Sequence, residues 1–414
     1  MSDTMFPTAP LVTGPVSADE FAARRQRVFD ALDGHAAVVL AGEGSAPLLG
    51  KWRPDRNFLY LTGIAAESGA ALLFDPSAED PDRHISLFLR PVNPEADQWD
   101  GFRPVISSRL RAETGFTHIG RANQLPGFLT GAARRTKKLA CLHPFAIYPA
   151  AVSPDYALFK QVGERVPGVS IADKTTLLSE MRAVKGQTEL AVMRRAVAAT
   201  VAGYEAAMSA IRPGATERDV EFALERGFRA QGGAHAYNAI VGTQGNGAVL
   251  HYMDNRETLR EGDLLLIDAG AQMDGYAADV TRAYPVSGIF TAEQRAIYEA
   301  VLFAEEAAIA AAGPGVPFYV LERAARAVLA EAGYPDGFPH GMGHSLGLDV
   351  HDVSPDTILR PGMVMTIEPG LYLPGKMGVR IEDDILITEN GAENLTAAIP
   401  KSVADVERAL AAAR

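Results

Sequence analysis

The chain has one cysteine, Cys141, among 414 residues, so no internal disulfide can form. A lone cysteine is most at home as a small buried apolar residue. The missing disulfide framework matches a reducing, cytoplasmic setting. Long apolar runs are also missing: no stretch approaches the roughly 18–20 consecutive apolar residues of a membrane helix. The opening MSDTMFPTAPLVTGP lacks the basic start and apolar core of a signal peptide and is expected to be a frayed tail. Positive charge is scarce, with 39 Lys and Arg against 51 Asp and Glu. The resulting net charge of −12 disfavours nucleic acid, whose phosphates need a basic face. No short-period repeat occurs, and no low-complexity tract beyond alanine-rich helices. What remains is the composition of a soluble globular protein, 47% hydrophobic and 22% charged, too long for one ordinary core.

The first part reads as α/β. A helix end leads into a buried strand over 28–42, and strand-like runs follow at FLYLTGI (58–64), GAALLFD (69–75), HISLFLRPV (84–92) and LACLHPFAIYP (139–149). Their alternation with helical stretches predicts a mixed sheet covered by helices. From Thr188 the pattern changes. Leu190, Met193, Val197, Val201, Tyr204 and Met208 fall at helical spacing, in a long amphipathic helix ended by Pro213 and Gly214. Thr216 with Asp219, and Thr291 with Gln294, mark capping boxes for helices to about Phe228 and Ala312. The boundary falls at about 175–186, dividing residues 1–178 from residues 179–414.

The strongest signal is GDLLLIDAGAQMDGYAADVTRAYPV (262–286), two apolar runs flanking an Asp274-Gly275 hairpin turn. That turn pairs Met273 with Tyr276 and sets Asp268 opposite Thr281. Asp279 then lies on the same face, diagonal to Asp268 at about 7–8 Å between Cα atoms. MVMTIEPGLYL (363–373) and MGVRIEDDILIT (377–388) form a second pair around Pro374-Gly375-Lys376, with Glu368 facing Glu382. Arg380 shares the face of Glu382 and is expected to orient it. Between the hairpins lies HGMGHSLGLDVHD (340–352). Its glycines argue against a helix and for a backbone that passes close to something or turns sharply. One of His340, His344 and His351 is a candidate ligand and the others candidates for serving a substrate.

Singly, each of these residues reads as a turn, surface or satisfied core group. Together, four carboxylates on paired strands would repel one another if buried without cations. Two divalent cations cancel four carboxylates and leave a neutral imidazole. Mostly oxygen ligands suit harder ions, Mn²⁺ foremost, with Co²⁺ or Zn²⁺ as alternatives. Two such cations would activate a water at neutral pH and polarise a carbonyl, which is hydrolytic chemistry.

LHYMDN (250–255), IDAG (267–270), ADVTR (278–282), the HGMGH block, IEPGLY (367–372) and VRIEDD (379–384) in combination resemble the pita-bread metallopeptidases. That family includes methionine aminopeptidase, aminopeptidase P and prolidase, with creatinase as a metal-free relative. The resemblance covers nearly all of 180–400. It implies an α+β fold: a pita-bread catalytic domain of antiparallel sheets with flanking helices, preceded by a smaller α/β creatinase-like domain. It also implies that Asp268 binds one metal, that His344 and Glu368 bind the other, and that Asp279 and Glu382 bridge. Glu368 would shuttle a proton, His251 and His351 would contact the substrate carbonyl region, and His340, Tyr372 and Arg380 would line or brace a proline-side pocket. A homodimer is implied too, the first domain contributing to the partner's site.

RPDRNFLYLTG (53–63) and QWDGFR (98–103) resemble the leading domain of Xaa-Pro peptidases. Phe58, Tyr60 and Trp99 have core or interface packing as the alternative, and Asn57 stands where the family often has an acid. Filled ligand positions disfavour creatinase and a non-catalytic peptide-binding relative. The substrate expected is a short proline-containing peptide, cut at the Xaa-Pro bond. Tight segments at 333–344 and 374–378 lean towards a dipeptidase over an aminopeptidase acting on longer peptides. A dipeptidase needs a cation for the free carboxylate, for which Lys376, Arg53 and Arg56 are candidates.

Overall fold

The structure, a computed structural model, describes residues 10–12, 14–43, 52–353 and 358–414; the expected frayed tail falls, at 1–9 and 13, outside them. The chain divides into two units, Met1–Met181 and Arg182–Arg414. Among the described residues, no helix is long and apolar enough to cross a membrane.

In the first unit, strands Ala37–Leu40, Ala71–Phe74, Ile85–Leu89 and His118–Arg121 form one sheet in that order. The first three are antiparallel and the last pairs parallel, giving the mixed sheet that the alternation predicts. Val38, Leu73 and Phe88 pack with Leu129 and Phe159 in a core that also holds Cys141. Burial there pushes the Cys141 thiol up to about 12, so it stays protonated. The run 58–64 is not a strand but the C-terminal part of a helix, Arg56–Thr62. Its short apolar run carries no decisive period, and the ends decide. Asp55 caps it by accepting from the backbone N–H of Asn57 and Phe58, and Gly63 closes it at φ 67°. Phe58 and Tyr60 are core residues, whereas Trp99 is 86% exposed. The run 139–149 is a strand only as far as Cys141, since Pro144 and Pro149 cannot donate to a ladder.

The second unit begins with the long helix Gln187–Met208, which stops before Pro213, followed by Glu217–Ala230. Ala292–Ala311 and Phe318–Glu331 follow later in the chain. Both expected capping boxes are present, at Thr216/Asp219 and Thr291/Gln294. Thr281–Pro285, Leu264–Asp268 and Ile240–Thr243 make one antiparallel sheet; Val364–Ile367, Asp383–Thr388 and Gly391–Asn394 make another. Met273 pairs with Tyr276 and Asp268 with Thr281, the register that the Asp-Gly turn dictates. In the second hairpin Leu373 pairs with Met377 and Ile367 with Asp383, so one register runs through Pro369 and leaves Glu368 facing Glu382. A bridge between Thr281 and Glu382 joins the two hairpins. Antiparallel sheets with helices around them are the α+β arrangement expected.

Candidate metal centre

Strand pairing brings the acids together. At Gly270 the first hairpin is pinched so tightly that a Cβ would collide with the carbonyl of Ala278. Hydrogen bonds from Ala269 N to Val280 O (3.0 Å) and Ala278 N to Ala271 O (2.9 Å) carry the register past it. Asp268 and Asp279 therefore emerge on one face. Segment 342–346 adds to the edge of Val364–Ile367: Leu346 N donates to Val364 O (3.0 Å), Thr366 N to His344 O (2.8 Å) and Glu368 N to Met342 O (2.9 Å). A Cβ at Gly343 would strike Thr366 O, which is the close approach that the glycines of this block foretell.

These elements enclose a cavity of about 680 Å³, lined among others by Asp268, Asp279, His344, Glu368 and Glu382. Ligating atoms of Asp279, His344 and Glu382 lie within 4.8 Å of one another. His344 Nε2 stands 3.5 Å from Asp279 Oδ2 and 3.5 Å from Glu368 Oε1. Its Nδ1 faces Ser345 O at 3.3 Å, so the ring proton belongs there and Nε2 presents a lone pair. Burial holds the His344 imidazole down at about 4, hence neutral at pH 7. A lone pair facing two carboxylate oxygens is repulsive unless a cation lies among them. Burial, then the neighbouring carboxylates, pushes Asp279 and Glu382 far above the usual carboxylate range. Burial raises Glu368 to about 7, with Arg380 opposing and Asp268 adding to the rise. Clustered buried acids of this kind fit divalent cations, which would replace the protons.

Asp268 joins the cluster with its oxygens already engaged. Tyr237 Oη lies 2.5 Å from Asp268 Oδ1 and also touches Asp279 Oδ1. Arg380 Nη2 donates to Asp268 Oδ2 at 2.5 Å. Arg380 was expected to orient Glu382; instead its Nε donates to Thr281 Oγ1 (3.0 Å), and that hydroxyl donates to Glu382 Oε2 (2.6 Å). The diagonal reach of a guanidinium across the first hairpin favours Asp268. Arg380 Nη1 also donates to Tyr372 Oη (3.0 Å), which lies 2.7 Å from His340 Nε2. Burial holds His340 down at about 4. A turn at 345–352 swings His351 back to stack on His344, ring centroids 3.8 Å apart. His251 and His351 both line the cavity and are exposed. Tyr372 is not among the cavity-lining residues and acts there through His340 and Arg380.

Sequence reasoning missed Tyr237, the Thr281 and Thr366 hydroxyls, and Asp384. Thr366 Oγ1 accepts from His344 N at 3.0 Å and lies 3.4 Å from Glu368; Asp384 accepts from Asp279 N at 3.2 Å. Tyr237 sits in AHAYNAI, whose composition carries no chemical signal; a threonine facing a ligand across a predicted register could have been found. Lys376, offered as a carboxylate anchor, pairs with Glu293 on the surface and does not line the cavity. Arg53 and Arg56 belong to the first unit.

Behind the ligands lies a buried ionic network. Arg282 Nη1 donates to Glu382 O (2.7 Å) and Nη2 to Asp383 Oδ1 (2.5 Å), while Lys401 bonds Asp383 (2.7 Å) and Glu305 (2.9 Å). Burial alone would raise Asp383, but Arg282 and Lys401 hold it well below the usual range.

Residues 191–389 match the family model described as metallopeptidase family M24, and residues 21–140 that of the aminopeptidase P N-terminal domain. The Xaa-Pro aminopeptidase of Escherichia coli (strain K12) is 34% identical over 96% of this chain and 99% of its own length. The chain belongs to metallopeptidase family M24. A zinc-substituted aminopeptidase P of Escherichia coli in complex with product matches with a TM-score of 0.86 and 31% identity, over 97% of this chain and 100% of that one. A Bacillus subtilis relative with a provisional dipeptidase name is 35% identical over 82% of this chain and 91% of its own. Membership of family M24 implies divalent metal ions at the clustered acids.

Proposed function

We propose that the protein is an Xaa-Pro aminopeptidase whose catalytic domain, residues 179–414, holds two divalent cations on Asp268, Asp279, His344, Glu368 and Glu382. The observation that carries this is the convergence of Asp279, His344 and Glu382 within 4.8 Å in a large cavity. Bound cations would supply Lewis-acid polarisation of the scissile carbonyl and an activated water at neutral pH. Oxygen-rich donors with one imidazole favour Mn²⁺, and Co²⁺ or Zn²⁺ also suit them.

The chain's own groups do the rest. Like any peptide nitrogen, the proline nitrogen leaves as an amine only when it gains a proton. Glu368, which lines the cavity with Oε1 3.5 Å from His344 Nε2, is the group that takes a proton from water and passes it to that nitrogen. His251 and His351 donate to the carbonyl as it becomes an oxyanion. His340 and Tyr372 brace the proline side through Arg380.

The aminopeptidase reading is favoured over the dipeptidase lean of the sequence. Among the described cavity-lining residues of this chain Arg380 is the permanent cation, and it is committed to Asp268. Sequence likeness to Xaa-Pro aminopeptidases along the whole chain supports the same reading. The test is turnover of a Xaa-Pro dipeptide beside Xaa-Pro-Yaa by the Mn²⁺-loaded enzyme. The tripeptide is expected to be cut faster, and faster dipeptide cleavage would reverse the assignment. A cytoplasmic homodimer completes the proposal, supported by a first domain that exposes Trp99 and Phe102 and by a single inert cysteine.

A further inference from the structure

The turn 345–352 leaves the sheet edge after Leu346 and carries His351 beyond it, closed on itself. Asp352 N donates to Ser345 O (2.8 Å) and Gly347 N to Asp349 O (3.1 Å). The Asp352 carboxylate, 1% exposed, accepts from Leu348 N at 3.0 Å and Val353 N at 2.8 Å. Arg182 Nη2, on a side chain 5% exposed, pairs with the same carboxylate and lies 3.7 Å from Asp349. Lys185 is buried beside it, and a Cβ at Gly347 would strike Asp352 Oδ2 and meet Lys185 Cε at 3.1 Å. The turn is tied to the first ligand hairpin by Ala277 N donating to Gly347 O at 2.8 Å. At its end the His351 ring lies face to face with His344, 17° from parallel.

We propose that Asp352 is a positioning residue for hydrolysis: its carboxylate, counter-charged by Arg182, locks the 345–352 turn and so sets the His351 imidazole over His344. The kinetic part rests on His351 contacting the substrate. Three donors converge on this carboxylate, two backbone N–H groups and a guanidinium. An asparagine of the same shape offers one acceptor oxygen and turns an NH₂ towards donors, so charge and lone pairs are removed while bulk is kept.

The experiment uses full-length, Mn²⁺-loaded enzyme with a Xaa-Pro-Yaa tripeptide. Asp352→Asn is expected to lower kcat about 10- to 100-fold, as a small misplacement of a catalytic group does, with KM nearly unchanged. Metal content should stay at the wild-type level. Combined with His351→Ala, the Asn variant should lose no more than His351→Ala alone; additive losses would overturn the proposal. Arg182→Gln, which leaves the carboxylate in place, should show the same kcat-against-KM split at smaller size, and keeps the test open should Asp352→Asn not fold. A readout independent of turnover is the NMR signal of the His351 ring protons in Zn²⁺-loaded protein, shielded by the stacked His344 ring. Asp352→Asn or Arg182→Gln should move that signal and spare His251. An unmoved His351 signal would overturn the positioning role. A moved signal in a protein inactive on Xaa-Pro peptides would uphold it while rejecting the proposed function.

Discussion

The two hairpins that carry the acids and the two loops that carry His251 and His351 meet at one cavity, but different physics holds them. Each hairpin acid sits on or beside a strand whose neighbours are bonded across a ladder, and Arg282 clamps the carbonyl of Glu382 from behind. Many contacts over-determine these positions. The loops are each organised around a buried carboxylate. Glu217 accepts from Thr243 N (2.7 Å), Asn246 Nδ2 (3.2 Å), Tyr252 Oη (2.9 Å) and Glu257 N (3.0 Å), and so organises the segment 243–257 that bears His251. Asp352 does the same for the turn that bears His351. The metal side is built on ladders, whereas each substrate-side loop is organised around a buried carboxylate with a few backbone ties beside it.

The largest effect should come from the hairpins themselves. Glu382→Gln is expected to cut turnover of a Xaa-Pro-Yaa peptide by about 10³-fold or more, because losing one charge unbalances the cluster. Residual activity near wild type would break the comparison at its strong end. Next, Glu217→Gln should cost about 1–3 kcal/mol in chemical denaturation, since its NH₂ replaces one oxygen and faces two of the four donors. Metal content should be unchanged, and a loss of metal instead would mean that the loop and hairpins are not separately held. Thr281→Val keeps the shape but removes the hydroxyl between Arg380 and Glu382, and should weaken metal binding about 10-fold in a competition titration with a chelator.

Chelation should lower the melting temperature by several degrees, with a pH signature. In metal-free protein the Glu368 carboxyl sits at about 7, raised by burial from its ordinary value of 4.5. A raised folded value means that its contribution is full below about 4.5 and is lost as pH rises through about 7. Metal-loaded protein should lack that loss, and parallel pH profiles would contradict the cation assignment. The smallest effect is Lys376→Ala, which removes an exposed pair with Glu293 and should change stability by less than about 0.5 kcal/mol. It should also leave dipeptide turnover as it was.

This contrast explains what could be read from the sequence. The acids were legible because strand side chains alternate with period two and an Asp-Gly turn sets register, so Asp268 against Thr281 follows from counting. Both capping boxes were legible for the same local reason. Arg380 reaches Glu382 through Thr281 and pairs directly with Asp268, a choice that depends on how the two hairpins join. Tyr237 and Glu217 act over separations that no local pattern marks, and so does Arg182 on Asp352. The run 58–64 failed for a subtler reason: a short apolar run fits strand and helix alike, and Asp55 with Gly63 decides the matter.

The central claim is that facing hairpins hold two cations, and elemental analysis of metal bound per chain tests it most directly. The account predicts about two equivalents of divalent metal in the dialysed wild-type protein and a clear loss in Asp279→Asn. One equivalent or fewer in the wild type, or an unchanged content in Asp279→Asn, would contradict it.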